Sequence, residues 1–140
     1  YNFSKLIDWP SSSSATTFQI TVVGDRAVYD ELVLLAKNKK VGNASYDISF
    51  CKSTEEISGI NQIIYLSNSQ SGKVKELSRD PNHKNVLFVT EREGMSAYGS
   101  AICFTVTEQG NMGFQITREN ARKNQLTIRT QLERMAVEVI

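Results

Sequence analysis

Phe18-Gln19-Ile20-Thr21-Val22-Val23-Gly24-Asp25 is a β-branched run that closes on a glycine and an aspartate, and it predicts a strand followed by a tight turn. Directly after it, Tyr29, Leu32, Val33 and Ala36 fall at i, i+3, i+4 and i+7, one apolar face of a helix. Lys37, Lys39 and Lys40 would place cations at the negative end of that helix dipole, with Gly42 as its expected stop. Strand, turn and helix in this order make the first unit of an α/β layered domain.

The alternation continues downstream. Tyr46, Ile48 and Phe50 against Asp47, Ser49 and Cys51 have a period of two, a second strand. Ser53 and Glu56 have capping-box spacing, so a short helix is expected there. Ile63 to Leu66 and Val86 to Val89 are unbroken apolar runs, as strands buried on both faces would be. Between them Ser69 to Arg79 reads as a mostly exposed helix broken by Asp80-Pro81-Asn82. Ala101 to Val106, a turn at Glu108-Gln109-Gly110-Asn111, and Met112 to Ile116 form an antiparallel hairpin. Thr117 is placed to cap a short helix through Asn124. Ile128, Leu132, Met135, Ala136 and Val139 mark a closing amphipathic helix. The expected fold is a single Rossmann-like α/β domain over 1–140, with a mainly parallel sheet, a final hairpin and a C-terminal helix.

Upstream, Tyr1, Phe3, Leu6, Ile7 and Trp9 crowd a short segment that reads as the last turns of a helix stopped by Pro10. The helix would then begin before Tyr1, in a part removed on processing, an export signal being one candidate. Ser11 to Thr17 reads as a polar surface connector.

Composition narrows the functions. One hundred and forty residues with a net charge of +1 fit one domain and lack the basic excess of a nucleic-acid binder. No run approaches the roughly 20 apolar residues of a membrane span. Two cysteines and one histidine leave little material for metal chemistry. Cys51 and Cys103 either sit as two buried free thiols or, if their strands are adjacent in an oxidising compartment, pair. His83, in Pro81-Asn82-His83-Lys84, reads as a solvated loop histidine.

Catalytic motifs do not assemble. Gly94-Met95-Ser96-Ala97-Tyr98 nearly matches a nucleophile elbow, but Tyr98 replaces the second glycine and the only histidine precedes the serine. Gly72-Lys73 lacks both the first glycine and the hydroxyl residue of a P-loop. Ligands of open α/β sheets bind at the carboxyl ends of strands, which selects Gly24, Asp25, Ser67, Asn68, Thr90 and Glu91 as a candidate crevice. No G-x-G-x-x-G surrounds it, so no dinucleotide is expected, and Asp25 has a second reading as a helix N-cap. No cofactor and no metal is assigned.

Taken together, several segments resemble one family. Tyr1-Asn2-Phe3-Ser4-Lys5-Leu6-Ile7-Asp8-Trp9-Pro10 is similar to the helix end that opens the YfiR-like family, and Ile20 to Asp25 to its first strand. Ala101-Ile102-Cys103-Phe104, Gly113-Phe114-Gln115-Ile116-Thr117 and Asn120-Ala121-Arg122 resemble its C-terminal signature, and Leu126 to Leu132 its ending. Cys103, Gly113 and Gln115 depart from the family's Asn, Arg and Glu, Asn124-Gln125 stands near its Gly, and the cysteines that pair in some members are not evident.

The resemblance implies an exported bacterial protein of the periplasm. Characterised relatives are repressors that bind the periplasmic sensor domain of a membrane-bound diguanylate cyclase, lowering cyclic-di-GMP signalling, and they can dimerise. The expected function is therefore non-enzymatic regulation of a membrane-bound signalling protein, of diguanylate cyclase or histidine kinase type, without nucleic acid and without membrane embedding. Exposed apolar residues near the ends of the fold, such as Trp9 and Tyr98, are candidate partner contacts, with Trp9 having an equal second reading as a core residue. The alternative is a small-ligand sensor using the strand-end crevice.

Overall fold

A computed structural model describes residues 1–10 and 16–140. In chain order its elements are α1 (Asn2–Lys5), β1 (Ile7–Asp8), β2 (Thr17–Val23), α2 (Arg26–Ala36), β3 (Lys40–Val41), β4 (Ala44–Cys51), β5 (Ile63–Leu66) and α3 (Val74–Leu77). There follow β6 (Leu87–Thr90), β7 (Ile102–Val106), β8 (Met112–Ile116), α4 (Arg118–Lys123), β9 (Thr127–Ile128), α5 (Thr130–Glu133) and β10 (Glu138–Val139). Among the described residues eight strands form one sheet in the order β10-β8-β7-β6-β5-β2-β4-β3. β2 lies between β4 and β5, parallel to both, and β6 and β7 extend the parallel part. The hairpin of β7 and β8 is antiparallel, as the turn at 108–111 predicts. The fold is the expected α/β layer with a mostly parallel sheet.

The unbroken apolar runs have their explanation in the two cores. Val22, Ile63, Leu87 and Ile102 point to one face of the sheet, where Val28, Tyr29 and Leu32 of α2 pack. Their neighbours Val23, Ile64, Phe88 and Cys103 point to the other, against Val74 and Met95. A strand covered on both sides has no polar face to alternate with. Each such side chain, taken out of water, contributes about 1.5–3 kcal/mol.

Local signals set several boundaries. Asp25 caps α2, its carboxylate accepting from the Val28 amide at 3.2 Å. The stop of α2 differs from the expectation. The helix ends at Ala36, Asn38 takes the left-handed conformation (φ 64°), and Gly42 instead lies in the turn that joins β3 to β4. At Ser53 only a 3-10 turn forms (Thr54–Glu56); the serine side chain makes no cap bond, while the Glu56 carboxylate accepts from the Lys52 amide. The exposed helix expected over 69–79 is a 3-10 turn (Asn68–Lys73) running into α3, with Val74 wholly buried. Thr117 stands at the N-cap of α4 but makes no side-chain cap bond.

Both chain ends depart from the helical reading. α1 stops at Lys5, four residues before Trp9, because Ile7 and Asp8 pair with β9 as an antiparallel ladder. The closing helix shrinks to the single turn of α5: Ile128 is drawn into β9 and Val139 into β10, which runs parallel to β8. Helical spacing is overridden there by long-range strand partners. Of the connector, Thr17 belongs to β2 and residues 11–15 lie outside the described residues.

Candidate functional site

The carboxyl ends of β2, β5 and β6 bring most of the candidate crevice together. Backbone pairing continues past the strands, with the Gly24 amide on the Cys51 carbonyl, Ser67 on Val23 and Glu91 on Leu66. Gly24 turns the chain in the left-handed conformation (φ 86°), and a Cβ there would meet the Ser67 hydroxyl at 2.3 Å. Glu91 ties the loops: its carboxylate accepts from the Tyr65 hydroxyl and from the Asn68 amide, both at 2.7 Å. The Arg92 guanidinium donates to the Asn68 carbonyl at 2.8 Å, and the Arg92 amide to the Ser71 hydroxyl.

The electrostatics are acidic. Burial pushes the Glu91 carboxyl above its ordinary range, the Tyr65 hydroxyl opposes this, and the adjoining Asp25 carboxylate adds to it. Burial also raises the Tyr65 phenol, helped by its bond to Glu91. Thr90 is not part of the crevice; its buried hydroxyl pairs with Ser100 at 2.9 Å. Gly24, Asp25, Ser67, Asn68 and Glu91 thus meet, with hydrogen bonds made among themselves and to Val28, Cys51, Tyr65, Ser69 and Arg92. The arrangement locks three strand ends into one rigid rim.

The other candidates fall apart in space. Tyr98, 47% exposed, projects from a 3-10 turn (Met95–Tyr98), with the Lys75 ammonium 5.9 Å over its ring. That turn is fastened by Asn120, whose amide donates to the carbonyls of Ser96 and Ser100 at 2.7 and 2.8 Å. Trp9 is only 8% exposed; its ring stands edge-on to Phe18 at 5.1 Å and its indole N–H donates to the Gln62 carbonyl. A residue so placed supports a wall and presents little surface. His83 is less solvated than a free loop residue, with its ring edge-on to Phe88 and Nδ1 3.3 Å from the Leu77 carbonyl.

The cysteines are two buried free thiols. Both face the same core, yet β2, β5 and β6 separate their strands. Four strand spacings of about 4.8 Å put them roughly 19 Å apart, where a disulfide requires Cα atoms within about 7 Å. The Cys103 thiol donates to the Arg92 carbonyl at 2.8 Å, and burial raises the Cys51 thiol pKa.

At the opposite end of the sheet, where β2, β4 and β5 begin, lies a cleft of about 470 Å³ that the sequence reading did not locate. Trp9, Phe18 and Ala44 contribute to its walls, Lys5 and Lys40 line it, and Asp8 with Arg129 close one side. Arg129 grips the Asp8 carboxylate with two bonds, at 2.9 and 3.2 Å. No local motif announces the cleft, because its residues come from five separate parts of the chain. The nearest signal is the Trp9-Pro10 pair beside a lysine-rich connection at 37–40.

Fold and site define a layered α/β protein with a mostly parallel sheet and closed strand ends. The chain belongs to the YfiR/HmsC-like family, whose model matches residues 1–137. The family resemblance carried by the two chain ends is therefore correct. No curated protein matches the chain. Among the described residues no helix is long and apolar enough to cross a membrane, and no group of three or more His, Cys, Asp or Glu side chains could hold a metal ion.

Proposed function

We propose that this chain is a non-enzymatic regulatory protein of the bacterial periplasm that binds and represses the periplasmic sensor domain of a membrane-bound signalling protein, such as a diguanylate cyclase. Residues 1–140 act as one domain in this role. The observation that carries the reading is the family match across 1–137, since membership of this family implies such a regulatory role. A near-neutral net charge of +1 suits a protein that acts through surface contact with another protein. Tyr98 is the residue we assign to the contact. It is an exposed aromatic on a turn held by Asn120, so it presents apolar area with little ordering left to lose on binding.

The test is direct binding to the purified periplasmic domain of a membrane diguanylate cyclase from the same genome. A saturable complex, weakened about tenfold or more by Tyr98→Ala without a change in unfolding midpoint, supports both the function and the assignment. Binding unaffected by Tyr98→Ala removes the residue from the interface. Absence of any complex with such domains, and of any membrane signalling protein captured from envelope extract, overturns the function.

A further inference from the structure

We propose that the cleft at the amino-terminal ends of β2, β4 and β5 is a binding site for a small organic anion with an apolar body. Its volume of about 470 Å³ falls in the range of small-molecule sites, about 300–1,000 Å³. The apolar part of the wall is made by Trp9, Phe18 and Ala44, all nearly buried and so fixed in place. The indole is held by its bond to the Gln62 carbonyl and by its edge-to-face contact with Phe18. The Gln62 side-chain oxygen accepts from the Gln19 amide at 2.6 Å, which leaves its two N–H donors for a ligand oxygen.

Charge selects the sign of the ligand. Lys5, Lys40 and Arg129 line the cleft against one carboxylate, Asp8, and that carboxylate is already taken by Arg129. Among the described residues no carboxylate lies within ion-pair distance of Lys5, Lys39 or Lys40. The Lys5 and Lys39 ammonium groups both stand over the Tyr1 ring, at 5.7 and 4.9 Å, so a third lysine borders the same opening. A surplus of two positive charges in one cleft equals more than the net charge of the whole chain, +1. An organic anion places its charge against these unpaired lysines and its body against the aromatic wall; an organic cation of the same shape is repelled. The proposal stands independently of partner binding.

Trp9 is the only tryptophan in the chain and so reports on the cleft by its fluorescence. Three probes of one shape are titrated at low salt: 3-phenylpropionate, its neutral amide and the matching amine, 3-phenylpropylammonium. The expected result is a saturable change with the carboxylate, binding about fivefold or more weaker for the amide, and none for the amine. Lys5→Glu and Lys40→Glu, both at exposed positions, should each weaken the carboxylate about fivefold or more while leaving the circular dichroism unchanged. Raising the salt should weaken the carboxylate and spare the amide. No saturable response, equal binding of the three probes, or carboxylate binding indifferent to both substitutions would overturn the proposal.

Discussion

Gly24→Ala tests whether the strand-end rim is closed as tightly as its geometry states. The glycine has φ of 86°, a conformation that costs an L-residue about 1–2 kcal/mol. The new Cβ would also stand 2.3 Å from the Ser67 hydroxyl and 3.0 Å from Cγ of Gln70. Gln70 is long enough to swing away. Ser67 is buried on a short side chain and is not, so the collision adds about 1–3 kcal/mol. Against this, alanine restricts the unfolded chain and returns about 0.4–1 kcal/mol. The expected loss is about 1–4.5 kcal/mol, read from urea unfolding as a lower midpoint at unchanged slope. Ser67→Ala alone should cost less than about 1 kcal/mol, because the nearest hydrogen-bonding partner of its hydroxyl is the Ser69 hydroxyl at 3.4 Å. In the Ser67→Ala background Gly24→Ala should cost only about 0–1.5 kcal/mol, the backbone strain less the unfolded-chain gain, with the hydroxyl collision gone. A double-mutant cycle without coupling, or a loss below about 0.5 kcal/mol for Gly24→Ala, refutes the reasoning.

Asn120→Ala should cost about 1–3 kcal/mol, since the buried Ser100 carbonyl and the part-buried Ser96 carbonyl lose the Asn120 amide as donor, and hydrogen exchange at residues 95–100 should accelerate more than elsewhere. Glu91 carries a raised pKa in the folded state, so the native protein binds that proton more tightly than the unfolded chain. Its contribution to stability is therefore full at low pH and is lost as pH rises from about 4.5 through the raised value. Glu91→Gln should remove that component, so the stability difference, wild type minus variant, should shrink with rising pH; a pH-independent difference refutes it. Cys51 and Cys103 should resist a thiol reagent in the native protein, react in denaturant, and never yield a native intramolecular disulfide by mass. Gly113→Ala should destabilise by more than about 1 kcal/mol, because its Cβ would meet Cγ2 of Val137 at 2.3 Å, and the loss should shrink in a Val137→Ala background.

The middle of the chain was legible because its signals are local. Ile63 to Leu66 is apolar at every position since it is covered on both faces, and Asp25 sits where a helix needs an acceptor. The ends are illegible for the opposite reason. Ile7-Asp8 and Thr127-Ile128 become strands only by meeting each other across some 120 residues, and no window of sequence contains both. The edge strand at Lys40-Val41 is two residues long and half lysine, too short and too polar to show a period. At the candidate site, topology places Gly24, Asp25, Ser67, Asn68 and Glu91 near one another, but composition could not tell that their polar groups would be bonded among themselves and to neighbouring residues. The cleft beside Trp9 depends on the same unseen closure of the chain ends that made β1 and β9.

The width of sheet between Cys51 and Cys103 sets an order of events in the life of the chain. Three intervening strands keep the thiols apart once the sheet is built, while in the unfolded chain nothing does. In an oxidising compartment the two could be joined only before folding, and a molecule so joined could not then assemble its sheet. In such a compartment maturation would be a race that folding must win against oxidation, after which burial shields both thiols.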